Sequence, residues 1–335
     1  MLNKTKKIIK TSIFLALTLS MSAGEGSFEC NSGIQYTSGS SAYPKYTSIA
    51  MYLTHLSLSA SIPLYGTSTS ATQDEYLFLF KAKKEMIEGV PTYVFKPNVL
   101  KNNSKVMYIH GGAFIKAINP LEVKMIQDIS NRSGSEVYVP LYTLADNAVF
   151  PYQLNEMYDV YQNLSNRYDA SNMVLIGDSA GGTLVFNLMQ KLQDNGESQP
   201  SKSIVISPVM DLALDNKDIP IYDKRDFFLS KGFMDVAMKK YMGSSYNSHT
   251  LNNPLVSPLY MNNLDSLAPT LYITGNREIL HPDAIKFKRK ARSYGMDLTF
   301  ITIKNGFHVL PAIPSQIIEE SNIARSQIAS FINCK

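Results

Sequence analysis

Tryptophan is absent from the 335 residues, which excludes nothing. The scarcity of cysteine excludes more. There are only two, Cys30 and Cys334, and no Cys/His cluster has metal-ligand spacing, so neither a metal nor any other cofactor is implied. Excess charge is also missing. The formal net charge is +4. Lys4, Lys6, Lys7 and Lys10 lie in a stretch, residues 1–23, that holds no acid. Without that stretch the chain is near neutral, so neither nucleic acid nor an acidic membrane surface is implied as a partner. The apolar run Thr11 to Leu19 is too short to span a bilayer comfortably. Internal repeats are lacking, and the one biased tract is rich in Ser and Thr near residues 35–72.

What is present begins with that first stretch. A lysine-rich start, an apolar middle and the small residues Ser20, Ser22 and Ala23 spell a secretory signal peptide over residues 1–23. The expected localisation is export, with an uncleaved N-terminal anchor as the alternative. In an oxidising compartment a Cys30–Cys334 disulfide joining the two ends is chemically permitted, and free or intermolecular thiols are the other possibility.

The most informative segment is Gly177-Asp178-Ser179-Ala180-Gly181-Gly182. Met173 to Ile176 reads as a short buried strand, and Leu184, Val185, Leu188, Met189 and Leu192 form the apolar stripe of a helix. A Gly-x-Ser-x-Gly turn between strand and helix lifts one hydroxyl above a sheet edge, which makes Ser179 a candidate nucleophile. The competing reading, a glycine-rich phosphate cradle, lacks the Gly-Lys-Ser/Thr that should follow. A serine needs a base to take its proton. Of five histidines, His308 alone sits in a loop after the last strand-like run, Leu298 to Ile303. Upstream, the strand-like Val106 to Ile109 ends in His110-Gly111-Gly112-Ala113-Phe114. Loops of this type supply oxyanion-binding amides, and glycine permits close backbone approach to a substrate. His110 is expected to organise that loop rather than to act as the base.

These motifs, with Ser207-Pro208, Asp211, Phe150-Pro151, Pro254-Leu255-Val256-Ser257-Pro258 and Gly306-Phe307-His308, resemble the hormone-sensitive-lipase (group IV lipase/esterase) family of α/β-hydrolases from about residue 105 to 331. The family's Tyr-Arg-Leu-Ala-Pro-Glu stretch is degraded to Tyr142-Thr143-Leu144-Ala145-Asp146-Asn147. The resemblance implies Ser179 as nucleophile, His308 as base, and the amides of Gly112, Ala113 and Ala180 as the oxyanion hole, supported by His110 and Gly111. Ala113 stands where the family usually has glycine. The amide survives that change, while the methyl narrows the site for bulky substrates such as esters of tertiary alcohols. The triad acid should follow the strand Thr270 to Thr274. Glu278 falls on the family's Asp position, two residues before Leu280, and Asp283 is the rival at an expected helix start.

Strand-like runs at Thr92–Phe95, Val106–Ile109, Val137–Val139, Met173–Ile176, Ser203–Ile206, Leu271–Ile273 and Leu298–Ile303 alternate with helical patterns. One helix carries Leu154, Met157, Tyr158, Tyr161 and Leu164, another Ala284, Phe287, Ala291 and Tyr294, and the last runs near Gln316 to Ile332. The alternation predicts an α/β fold with a mostly parallel sheet and helices on both faces. Residues 24–335 then form a single α/β-hydrolase domain, and the resemblance implies cap segments near 37–73 and 211–265. Met210, Phe227, Phe228, Phe233, Met234 and Tyr241 could line an acyl pocket or simply pack the cap. The basic run Lys286 to Arg292 reads as a solvated helix face. The expected activity is hydrolysis of small-molecule carboxylic esters. An amidase or formamidase using the same triad, or a non-catalytic hydrolase-fold binding protein, are the alternatives.

Overall fold

The computed structural model describes residues 82–334. The expected signal peptide, the segment 37–73 and Cys30 lie outside the described residues, and Cys334 is disulfide-bonded.

Eight strands form one sheet: β1 (Lys83–Ile87), β2 (Val90–Phe95), β3 (Lys105–Ile109), β4 (Glu136–Pro140), β5 (Met173–Asp178), β6 (Lys202–Ile206), β7 (Thr270–Gly275) and β8 (Leu298–Ile303). Their spatial order is β1-β2-β4-β3-β5-β6-β7-β8. The β1–β2 and β2–β4 pairs are antiparallel, and all later neighbours are parallel. Short apolar runs make these strands because both faces of the parallel part are covered. In β3, Met107 and Ile109 enter one core while Val106 and Tyr108 enter the other; in β5, Leu175 and Val174 divide the same way.

The helices are α1 (Pro120–Ser133), α2 (Tyr152–Tyr168), α3 (Ala180–Asp194), α4 (Ile219–Asp223), α5 (Lys231–Met242), α6 (Ser248–Leu251), α7 (His281–Ser293) and α8 (Glu319–Asn333). Val123, Ile126 and Ile129 of α1 share one core with Ala324, Ile328 and Phe331 of α8. On the opposite face α2, α3 and α7 contribute Leu154, Leu188 and Phe287. The two apolar layers are those a 3.6-residue period prescribes. On α7, Lys286, Arg289 and Arg292 are exposed.

Between β6 and β7 the strand series pauses for α4, α5 and α6. Of the aromatics and methionines singled out in this insert and at its start, Met210, Met234 and Tyr241 are buried, whereas Phe227 is 54% exposed. Among the described residues no helix is long and apolar enough to cross a membrane.

Candidate active site

Ser179 sits between the end of β5 and the first residue of α3, with φ +50° and ψ −122°. A non-glycine residue pays for such a backbone conformation, and it persists because the surroundings dictate it. Two contacts do so. The Ser179 N–H donates to Ile206 O at 2.8 Å. Gly181 packs so tightly under β3 that a Cβ would lie 1.9 Å from Ile109 O. Only glycine fits there, and the start of α3 is thereby pressed onto the neighbouring strand.

His308 follows β8 after the Lys304–Gly306 turn and is buried. Its Nε2 lies 2.9 Å from Ser179 Oγ, and its Nδ1 lies 2.9 Å from Glu278 Oε2. Glu278 is fully buried in the loop between β7 and α7. Its other oxygen, Oε1, accepts from Ser207 Oγ at 3.0 Å, from the Gly275 N–H at 2.9 Å and from Thr274 Oγ1. Ser207 Oγ in turn accepts the Val309 N–H at 3.2 Å. One hydroxyl thus braces both the carboxylate and the residue after the histidine.

The electrostatics follow from these contacts. Burial opposes ionisation of Glu278, but the hydrogen bond and charge of His308, with Thr274 and Ser207, outweigh it and hold the carboxyl below its ordinary range. Burial likewise opposes protonation of His308. The hydrogen bond and charge of Glu278, with Asp226 and Asp178 behind, overcome this and raise its pKa. Asp226 comes from the β6–β7 insert, and its Oδ2 accepts the Ile279 N–H at 2.8 Å, tying the insert to the loop that carries Glu278. Phe228 of the same insert stacks on Phe307, the residue before His308, with centroids 5.1 Å apart.

Asp283 lies elsewhere. It occupies the first turn of α7, where Oδ1 accepts from Asn216 Nδ2 at 2.8 Å. Burial pushes its carboxyl up to about 6. The structure therefore joins Glu278, and not Asp283, to His308.

The loop after β3 has three consecutive residues with positive φ: Gly112 at +99°, Ala113 at +54° and Phe114 at +63°. Among the described residues no acceptor takes the Gly112 or Ala113 N–H. Ala180 opens α3, where the first amides have no partner within their own helix. His110 Nδ1 lies 2.8 Å from Gly111 O, which makes it a donor. Its ring stacks on Tyr142 with centroids 4.3 Å apart. Tyr142 Oη donates to the carbonyls of His110 and Gly111, each at 3.1 Å. Burial pulls the His110 pKa down to about 4. His110 is therefore a neutral strut in this loop.

Chemically, a hydroxyl, an imidazole and an ionised carboxylate in series can withdraw a proton from the hydroxyl as it attacks an electrophile. Among the described residues there is no group of three or more His, Cys, Asp or Glu side chains able to hold a metal. The sequence reading missed Ser207, Thr274 and Asp226 as braces of this site, and Asp178 and Glu122 beneath the His110 loop. In the sequence Ser207 stands out only as part of a Ser-Pro motif. Asn119-Pro120-Leu121-Glu122 has the spacing of a helix capping box, a signal that could have marked the start of α1.

The sequence profile of the alpha/beta hydrolase fold matches residues 106–312. An esterase of Acinetobacter venetianus is 31% identical over 196 residues, which are 58% of this chain and 63% of that protein. The chain thus matches a little under two-thirds of that relative's length. The crystal structure of an esterase from the bacterial hormone-sensitive lipase family shares 25% identity with a TM-score of 0.70, covering 80% of this chain and 92% of that one. An esterase/lipase from an uncultured bacterium superposes with a TM-score of 0.73 at 22% identity, over 87% of this chain and 98% of that one, a likeness of fold. With its motifs, sheet order and relatives in agreement, the chain belongs to the alpha/beta hydrolase fold family and resembles the hormone-sensitive-lipase-like esterases within it.

Proposed function

We propose that this protein is an exported serine esterase that hydrolyses small-molecule carboxylic esters through Ser179, His308 and Glu278. The observation that carries the reading is the unbroken pair of 2.9 Å contacts from Ser179 Oγ through the imidazole to Glu278 Oε2. Kinship with esterases supports ester substrates. The lysine-rich, apolar and small-residue start supports export.

The reaction follows from the site. His308 Nε2 takes the hydroxyl proton as Ser179 Oγ bonds to the ester carbonyl carbon. Glu278 accepts the Nδ1–H, fixes the tautomer and stabilises the imidazolium. The carbonyl oxygen, now negative, is received by the amides of Gly112, Ala113 and Ala180. Donors aimed at a developing oxyanion contribute about 3 kcal/mol each. The tetrahedral intermediate collapses, the C–O bond to the alcohol breaks, and the alkoxide leaves with the proton from Nε2. Water, deprotonated by the same nitrogen, attacks the acyl-enzyme. Collapse releases the carboxylic acid and returns the proton to Ser179.

A panel of p-nitrophenyl esters of graded chain length, run beside the matching anilides and Ser179→Ala, tests the reading. Ester turnover should exceed anilide turnover, and folded Ser179→Ala should lose kcat by on the order of 10⁵-fold or more. Near-wild-type ester turnover by that variant would remove Ser179 from the mechanism. A preference for the anilides would make the enzyme an amidase.

A further inference from the structure

Under the His110 loop lie two carboxyls that the reaction above does not use. Asp178, the residue before Ser179, is 1% exposed, and Glu122, in the first turn of α1, is 4% exposed. Asp178 Oδ2 and Glu122 Oε1 converge on the same point beside Gly111, and each carboxyl acts on the other's ionisation. Asp178 Oδ1 also accepts from Tyr108 Oη at 2.6 Å and from the Gly111 N–H at 3.1 Å. Glu122 Oε2 accepts the Asn119 N–H at 2.7 Å, which leaves Oε1 to face the aspartate. The pair presses on the loop backbone. A Cβ on Gly111 would lie 2.3 Å from Asp178 Oδ2 and 3.1 Å from Glu122 Oε1.

Two carboxyls in contact cannot both be charged in a buried cage without a cation. Among the described residues neither forms an ion pair with Lys, Arg or His; Arg325, whose charge acts on Tyr108, is engaged with Asp128 at 3.1 Å. One proton must therefore stay between them. Burial drives both carboxyls upward. On Asp178 the bonds from Tyr108 and Glu122, the charge of His308 and the Gly111 bond oppose that rise, whereas Glu122 is pushed further by the charge of Asp178. The proton belongs on Glu122 and the charge on Asp178.

We propose that Glu122 is a positioning residue for the oxyanion loop, acting as a neutral acid whose O–H donates to Asp178 and so clamps Gly111 to the residue preceding the nucleophile. This rests on the role assigned above to the Gly112 and Ala113 amides. Three elements meet at the clamp: the end of β3, the end of β5 and the start of α1. A second negative charge there would set the two carboxylates against each other across Gly111. It would also place that charge near the amides that receive the oxyanion.

The test compares Glu122→Gln, Glu122→Ala and Asn119→Ala in the full chain. Glutamine can mimic the arrangement, with its oxygen toward Asn119 N–H and its amide donating to Asp178. Asn119→Ala removes the cap of the same helix, where the Asn119 side chain accepts the Leu121 and Glu122 N–H groups, and leaves the acid pair. Because oxyanion donors act in the transition state, Glu122→Ala should lower kcat by about 10- to 100-fold with KM nearly unchanged. Glu122→Gln should restore kcat to within about threefold of wild type, and Asn119→Ala should lower melting temperature more than kcat.

Infrared spectroscopy reads the proton without reference to turnover. Wild type and Ser179→Ala should both show a deuterium-sensitive C=O band of a buried carboxylic acid that Glu122→Gln lacks. Failure to find that band, a Glu122→Gln variant as impaired as Glu122→Ala, or a Glu122→Ala variant no slower than Asn119→Ala would overturn the proposal. An active Ser179→Ala would instead sink the serine mechanism, while the infrared result would still decide the state of Glu122.

Discussion

Glu278 offers its two oxygens to different tasks in relation to His308: Oε2 faces the imidazole Nδ1 at 2.9 Å, while Oε1 is held by Ser207, Thr274 and the Gly275 amide. A carboxylate anchored on one oxygen is free to orient a histidine with the other. The anchors lie at strand ends: Thr274 and Gly275 close β7, and Ser207 follows β6.

Glu278→Gln should therefore cripple turnover. Amide replacement of a triad acid in a serine protease costs on the order of 10⁴ in kcat, and a comparable loss is expected here in purified, folded protein. Asp283→Asn should cost less than about tenfold, since that side chain contacts Asn216 and not His308. If Asp283→Asn proved the more damaging, the acid would have to be reassigned.

Asp283 makes a separate prediction about stability. Its carboxyl is pushed from 3.8 to about 6 by burial. Between those values the native state binds more protons than the unfolded state, so stability falls as pH rises through this window and is flat above it. A shift of that size corresponds to on the order of 2–3 kcal/mol. Asp283→Asn has no such titration. Its melting temperature relative to wild type should rise from pH 4 to pH 7, and a difference constant over that range would contradict the assignment.

The acid limb of kcat/KM should report His308. A protonated imidazole cannot accept the Ser179 proton, so activity is lost as pH falls through a midpoint above the ordinary value of 6.5. Asp226 contributes to that elevation by its charge. Asp226→Asn should move the limb to lower pH while retaining turnover. A limb that stays put would show that Asp226 is electrostatically silent, and one that moves up would overturn the sign of its effect.

Ser207→Ala removes the hydroxyl that donates to Glu278 and accepts from the Val309 N–H. A hydrogen bond to a charged group is worth about 1.5–3 kcal/mol, so kcat should drop roughly 10- to 100-fold. Steady-state kinetics on a variant with wild-type circular dichroism would check this. An undiminished rate would leave the Thr274 and Gly275 bonds as the effective anchors.

Most of the sheet was legible in the sequence because β2 to β8 are β-branched or aromatic runs buried by helices. β1 was not. Its Lys83-Lys84-Glu85-Met86-Ile87 has three of its five residues exposed, as edge strands often do, and it pairs with β2 through the Glu88-Gly89 turn, where φ is +49° and +78°. Ser179, His308 and Glu278 were readable because each follows a recognisable strand. Glu122 was not readable as part of the site, since its spacing signals a helix cap and its second role arises only when α1 brings it beneath the loop from β3. Asp226 lies in a loop of the insert and touches the site only through the tertiary fold, which no local pattern records.

The pairing of β3 with β5 has a consequence for how such an enzyme can diverge. Ile109 lies opposite Gly177 in that ladder, so the loop proposed to receive the oxyanion and the elbow bearing Ser179 leave the sheet side by side. Main-chain hydrogen bonds of that ladder bring the two together, and the proposed Glu122–Asp178 clamp refines their placement. The β6–β7 insert, by contrast, reaches the site through side chains such as Asp226 and Phe228. Point mutation in the insert can therefore retune the loops that carry Glu278 and His308, while the adjacency of elbow and loop is inherited with the register of two neighbouring strands.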